Sequence, residues 1–129
     1  VQTCALPILT RRLSRAIDAL PADVGDAVIA LRKLAPTSTL FTDRFLHPTP
    51  EVSMLAAIVL YARIEGWLPE ARPVQVAQPM ISVAARPDAR VPLSMQYSTL
   101  PRSEFAGFSA ERMALLRRAA ETALSDDDR

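Results

Sequence analysis

Asp43, His47 and Glu51 are spaced by four along the chain. An imidazole between two carboxylates is the arrangement of a general base. That chemistry needs all three side chains on one helix face. Pro48 and Pro50 interrupt any helix running through them, so His47 reads as a loop or surface residue. It is the only histidine, which excludes a two-histidine metal site. Arg11, Arg12 and Arg15 could meet phosphate from one helix face. Against this, 15 Lys and Arg balance 14 Asp and Glu to a net charge of +1. A dedicated nucleic-acid surface carries a marked basic excess, so the three arginines read as a solvated face. Gly25, Gly66 and Gly107 lie too far apart for a phosphate-cradling loop. Neither G-x-S-x-G nor H-E-x-x-H occurs. No enzymatic activity, cofactor or metal is expected. Trp67 suits either the wall of a ligand pocket or the cover of a buried helix end.

Composition sets the frame for these residues. A length of 129 residues, half of them hydrophobic, supports one domain with one core. A single cysteine, Cys4, rules out a disulfide within the chain and a cysteine-rich metal site. The longest apolar run, Met54 to Ala62, is far shorter than the roughly 18 residues of a membrane span. A cytoplasmic location with no membrane partner is the expectation. Lys33 is the only lysine and asparagine is absent, a bias that points to a GC-rich, bacterial coding sequence. Residues 1–8, Val1 to Ile8, look like the translation of a sequencing-adaptor oligonucleotide. They are set aside as a scar, which makes Cys4 non-native and the chain a piece of a longer protein. Residues 9–125 then form the domain, and residues 126–129 an acidic, frayed tail.

The elements follow from periodicity. Leu9, Leu13, Ala16, Ile17 and Leu20 predict a helix over 9–20 that Pro21 ends. Val24, Ala27, Val28, Leu31 and Leu34 form the apolar face of a second helix over 22–35. Its acids near the start and bases near the end suit the helix dipole. A Thr- and Ser-rich connector, 36–48, drops Leu40, Phe41, Phe45 and Leu46 onto the core. Thr49-Pro50-Glu51 is a helix start, with a capping hydroxyl and Pro at the first helical position. Gly66 ends that helix after Glu65, and its Met54 to Ala62 run predicts heavy burial. Strands are expected at 74–78, 80–85 and 91–98, with Arg86-Pro87-Asp88-Ala89 as the hairpin turn joining the last two. Pro79 and Pro92 mark strand starts, edges or bulges. Ser109 caps a last helix to Leu124, with Met113, Leu116, Ala120 and Leu124 inward. The sum is an α+β domain, an antiparallel sheet packed by helices.

These signals together, more than any one alone, resemble the effector-binding domain of IclR-type transcription regulators. Leu20-Pro21-Ala22-Asp23 matches the leucine-proline-acid step before a helix, and Thr42-Asp43 the turn before the next. Gly66-Trp67 ends that next helix. Val74, Ala77 and Pro79 fit the strand that follows. Arg90, Val91, Leu93 and Ser94 fit a hairpin leading to Leu-Ser, and Glu111-Arg112 opens the last helix. Gln75 stands where the family tends to carry cysteine, Arg72 where a glycine precedes the strand, and Ala89 where the hairpin has glycine. Gln96-Tyr97-Ser98 stands where the family often has Ser-Gly-Pro. The resemblance implies an incomplete GAF/profilin-like fold that binds a small organic effector, often a carboxylate or aromatic metabolite. It also implies a homodimer or tetramer, and DNA binding only through an upstream winged helix-turn-helix absent from this chain. The pocket contacts it implies are Gln75, with donor and acceptor in one side chain, the hydroxyls of Thr42 and Ser94, and a wall from Tyr97. First strands missing upstream would leave an open sheet edge and favour self-association. Two other readings are a protein-interaction or scaffold domain without ligand, favoured by the loss of pocket Gly and Cys, and, against the missing motifs, a small enzyme.

Overall fold

In the computed structural model, residues 12–42, 47–76, 81–82 and 85–125 are described. The adaptor-like residues 1–8 and the acidic tail 126–129 lie outside them, as do Leu9, Arg11, Asp43, Phe45, Leu46, Ala77 and Pro79. In chain order the elements are α1 (described over 12–16), α2 (Val24–Leu34), α3 (Pro50–Glu65), β1 (Val74–Gln75), α4 (Leu93–Gln96), β2 (Gly107–Phe108) and α5 (Ala110–Ser125).

The long helices begin and end where their caps place them. Thr49 is extended, and its hydroxyl accepts from the Val52 amide at 3.4 Å; Pro50 follows as the first helical residue. Gly66 closes α3 in the left-handed region, φ 79°, with its amide donating to the Ala62 carbonyl at 2.9 Å. A residue with a Cβ enters that region only at a cost, which is why glycine stops the helix there. The Ser109 hydroxyl accepts from the Arg112 amide at 3.2 Å and starts α5. Asp26 stands in the first turn of α2 and Arg32 and Lys33 in its last, the signs the dipole favours.

Helix α5 packs against α2 and α3, which also pack against each other. Leu31, Leu55, Val59 and Leu116 are fully enclosed at this three-helix junction. Ala27, Ala119, Ala120 and Ala123 are buried beside them, and their small side chains let the helix backbones approach closely. Two charged clamps brace the junction. Arg63 on α3 donates to Asp23, ahead of α2, at 3.0 Å. Arg112 on α5 bonds the Ser38 hydroxyl at 2.7 Å and ion-pairs with Glu51 on α3.

Strands β1 and β2 pair antiparallel, Val74 opposite Phe108 and Gln75 opposite Gly107. Gly107 has φ 143°, and a Cβ there would run into the Val74 carbonyl; glycine is what lets the two strands meet. The α+β expectation therefore holds in its coarse form, with a sheet of two short strands among the described residues. No helix among the described residues is long and apolar enough to cross a membrane.

Four expectations are corrected. The strand expected over 91–98 is instead a bend followed by α4. Its apolar residues alternate, Val91, Leu93, Met95 and Tyr97, but all four are exposed, and no strand among the described residues pairs with them. The Gln96 side chain accepts from the Asp88 amide at 2.7 Å and donates to the carbonyls of Asp88 and Val91 at 2.8 and 2.7 Å. These bonds satisfy the backbone within the loop, and local bonds of this kind compete with a ladder. Arg86 to Ala89 is accordingly no hairpin turn. Asp88 receives the Arg90 amide on its own carboxylate at 2.9 Å, an Asx-type turn into α4. The first helix ends before Pro21: Asp18 turns left-handed, φ 53°, and the Ala19 amide reaches back to the Ser14 carbonyl at 2.8 Å, a Schellman stop. Its expected apolar face, Leu13, Ile17 and Leu20, is exposed, while Ser14 is buried. Lastly, the Met54 to Ala62 run is buried on one side only. Leu55, Ile58, Val59 and Ala62 face the core, whereas Leu60 is 48% exposed.

Candidate functional site

The unburied side of α3 forms the floor of an open groove of about 880 Å³, within the size range of small-molecule sites. Met54 and Ala57, one turn apart on α3, give the floor, and Val74 and Phe108, the facing pair of the small sheet, give one wall. Ile81 and Arg102 join in an isolated antiparallel bridge, and the Ser82 amide donates to the Pro101 carbonyl at 2.8 Å. That junction brings Ser82, Arg102, Ser103, Glu104 and Phe105 into the lining. Phe105 and Phe108 meet edge to face, centroids 4.8 Å apart, so the aromatic part of the lining is held in one geometry.

Polar groups converge on this apolar surface. Thr42 lines the groove, and its hydroxyl donates to the His47 carbonyl at 3.2 Å. The Thr42 amide bonds the same carbonyl at 2.8 Å, and the Phe41–Pro48 bridge closes the loop behind it. Arg102 is anchored from outside: its Nη2 donates to the Tyr97 carbonyl, and the guanidinium stands 4.1 Å over the Tyr97 ring. Its Nη1 is buried without a hydrogen-bond partner among the described residues. Ser103 accepts the Phe105 amide at 3.1 Å, which turns the chain between the two.

Of the four residues expected at a pocket, Thr42 lines the groove. Tyr97 stands behind its wall as the support of Arg102. Gln75 is an exposed residue of β1 opposite Gly107, outside the lining. Ser94 lies on the exposed face of α4, also outside it. The sequence reading missed Arg102, Glu104, Phe105 and Phe108. Their segment shows no regular period, and only the Ile81–Arg102 bridge and the β1–β2 pairing bring them to α3.

The other candidates separate by location. His47 is exposed, with Asp43 outside the described residues. Arg12 and Arg15 are exposed on α1. No group of three or more His, Cys, Asp or Glu that could hold a metal occurs among the described residues. Trp67 sits at the end of α3 with its ring edge-on to Tyr61, centroids 5.0 Å apart. It borders a shallower cavity of about 380 Å³ with Leu20, Leu68 and Leu124. Desolvation, and then the Glu65 charge, push the Tyr61 phenol above its ordinary value. A second small hollow, at the starts of α3 and α5, is lined by the Glu51–Arg112 ion pair. Comparison of the chain with protein-family models, with curated proteins and with solved structures gives no match.

Proposed function

We propose that this chain is the ligand-sensing part of an IclR-type transcription regulator, and that the groove over α3 receives a small organic effector. One observation carries the ligand reading: a groove of about 880 Å³ whose apolar lining is interrupted by a few convergent polar groups, Thr42, Ser82, Ser103 and Arg102. The regulatory part rests on the order of sequence signals from Leu20-Pro21 to Glu111-Arg112. On this reading β1 and β2 belong to the antiparallel sheet of a GAF/profilin-like domain. DNA contact belongs to an upstream winged helix-turn-helix, and effector binding acts by favouring one dimer or tetramer arrangement over another. A library of small organic acids, amines and neutral aromatics, screened by thermal melting, tests the groove. Effectors should raise the Tm of the wild type by several degrees and leave Ala57→Trp, which fills the groove from α3, unmoved. Stabilisation of both proteins alike, or of neither, would overturn the assignment.

A second reading, an α+β interaction domain without ligand, draws on the exposed apolar side chains of Leu13, Ile17, Leu20 and Ile64. Exposed apolar side chains of this size favour association. A melting screen without hits, together with tight self-association, favours it.

A further inference from the structure

We infer that the groove selects an apolar zwitterion: a ligand carrying a carboxylate and an ammonium on one hydrocarbon or aromatic body, as an apolar amino acid does. This rests on the groove being a ligand site. Arg102 and Glu104 both line it. They carry opposite charges two residues apart, yet they form no ion pair with each other. The Tyr97 carbonyl and ring hold the Arg102 guanidinium from behind. Its Nη1 is buried with no acceptor among the described residues, so the chain leaves one donor of this groove-lining guanidinium unmatched. Leaving such a donor unmatched is costly, and a carboxylate is its strongest partner. Glu104 is an exposed residue of the same lining, where its carboxylate can accept from an ammonium. Met54, Val74, Phe105 and Phe108 supply the apolar remainder.

Selectivity follows from repulsion as much as attraction. A compound with only a carboxylate meets Arg102 but also faces Glu104. A compound with only an ammonium meets Glu104 but also faces Arg102. A small polar zwitterion satisfies both charges and leaves the aromatic wall uncovered. Only a ligand with both charges and an apolar body matches every part.

Isothermal titration with three probes of one skeleton tests this: L-phenylalanine, 3-phenylpropanoate and 2-phenylethylammonium. The wild type should bind L-phenylalanine roughly tenfold or more tighter than either single-charge analogue. Arg102→Met should weaken L-phenylalanine by about the same factor and shift the preference toward 2-phenylethylammonium. Glu104→Gln should weaken it too, and shift the preference toward 3-phenylpropanoate. Glu104 is exposed, so its variant keeps the test decisive if Arg102→Met fails to fold. Equal or tighter binding of a single-charge probe to the wild type overturns the zwitterion and leaves the groove a ligand site. Absence of binding by all three overturns the zwitterion as well. The groove assignment itself then falls only if no compound of the wider melting screen separates the wild type from Ala57→Trp.

Discussion

Single residues set the backbone events on which the rest depends. Gly107 is the clearest case, because its φ of 143° and its contact with the Val74 carbonyl exclude a Cβ. Gly107→Ala should destabilise the fold by about 3 kcal/mol, the joint cost of backbone strain and a clash. Urea denaturation checks the value; a loss below about 1 kcal/mol would mean that β1 and β2 can part freely. Ser109 acts through two bonds. It caps α5, and its hydroxyl, ahead of the backbone, holds the Glu111 carboxyl below its ordinary 4.5. Ser109→Ala should cost about 1 kcal/mol at neutral pH. Because the folded value lies below the unfolded one, the Glu111 contribution is present above the unfolded value and disappears as pH falls through the folded one. The gap in urea midpoint between wild type and Ser109→Ala should therefore narrow below about pH 4.5. A gap independent of pH would show that Glu111 draws nothing from Ser109.

At the scale of elements, α5 is the keystone. It contacts both other long helices, and Leu116 is completely buried between them. Leu116→Ala should cost about 2–5 kcal/mol, since the small alanines around it leave little with which to refill the space. Leu124→Ala, at the half-buried end of the helix, should cost less. Thermal melts of the two variants rank them, and the reverse order would place the centre of the core elsewhere. Helix α3 has two duties, and its all-round apolar sequence reflects both. Leu55, Ile58, Val59 and Ala62 face the core, while Met54 and Ala57 face the groove. Loop 86–100 illustrates the opposite outcome, where period-two alternation formed no strand because side-chain bonds from Gln96 satisfied the backbone first.

For the whole molecule, the notable feature is how much apolar surface stays outside the three-helix core. Leu13, Ile17 and Leu20 are 60%, 64% and 71% exposed, and Ile64 is 74% exposed. Large exposed apolar residues of this kind promote association. The chain should therefore sediment as a dimer or larger species at tens of micromolar, by rough analogy with other small apolar interfaces. The triple change Leu13→Gln, Ile17→Gln, Leu20→Gln should shift it toward monomer with little loss of Tm, because none of the three is in the core. A wild type that stays monomeric would remove association as the purpose of that face. Under the regulatory reading the chain alone should give no discrete band shift with the DNA upstream of its own gene, and a discrete complex would contradict it.

Helix boundaries at Thr49, Gly66 and Ser109, and the inward face of α5, were legible in the sequence, as was that of α2 at Ala27 and Leu31 but not at Leu34, which is exposed. A cap or a 3.6-residue stripe is a local instruction, satisfied within a few residues. The end of α1 was less so: Pro21 is the conspicuous stop, but Asp18 reached the left-handed region first. Strand and groove belonged to the tertiary structure alone. A strand exists only where a partner's backbone arrives, and Val74 and Phe108 meet across a sequence separation of 34 residues. Arg102, Glu104 and Phe105 gain their shared place in the lining through the Ile81–Arg102 bridge. Thr42, read from the sequence, reached the groove because the bridge between Phe41 and Pro48 carried it there. Gln75 and Ser94, read in the same way, lie exposed on β1 and α4, outside the lining. Local chemistry determined the helices; only distant contacts decided which side chains would share a site.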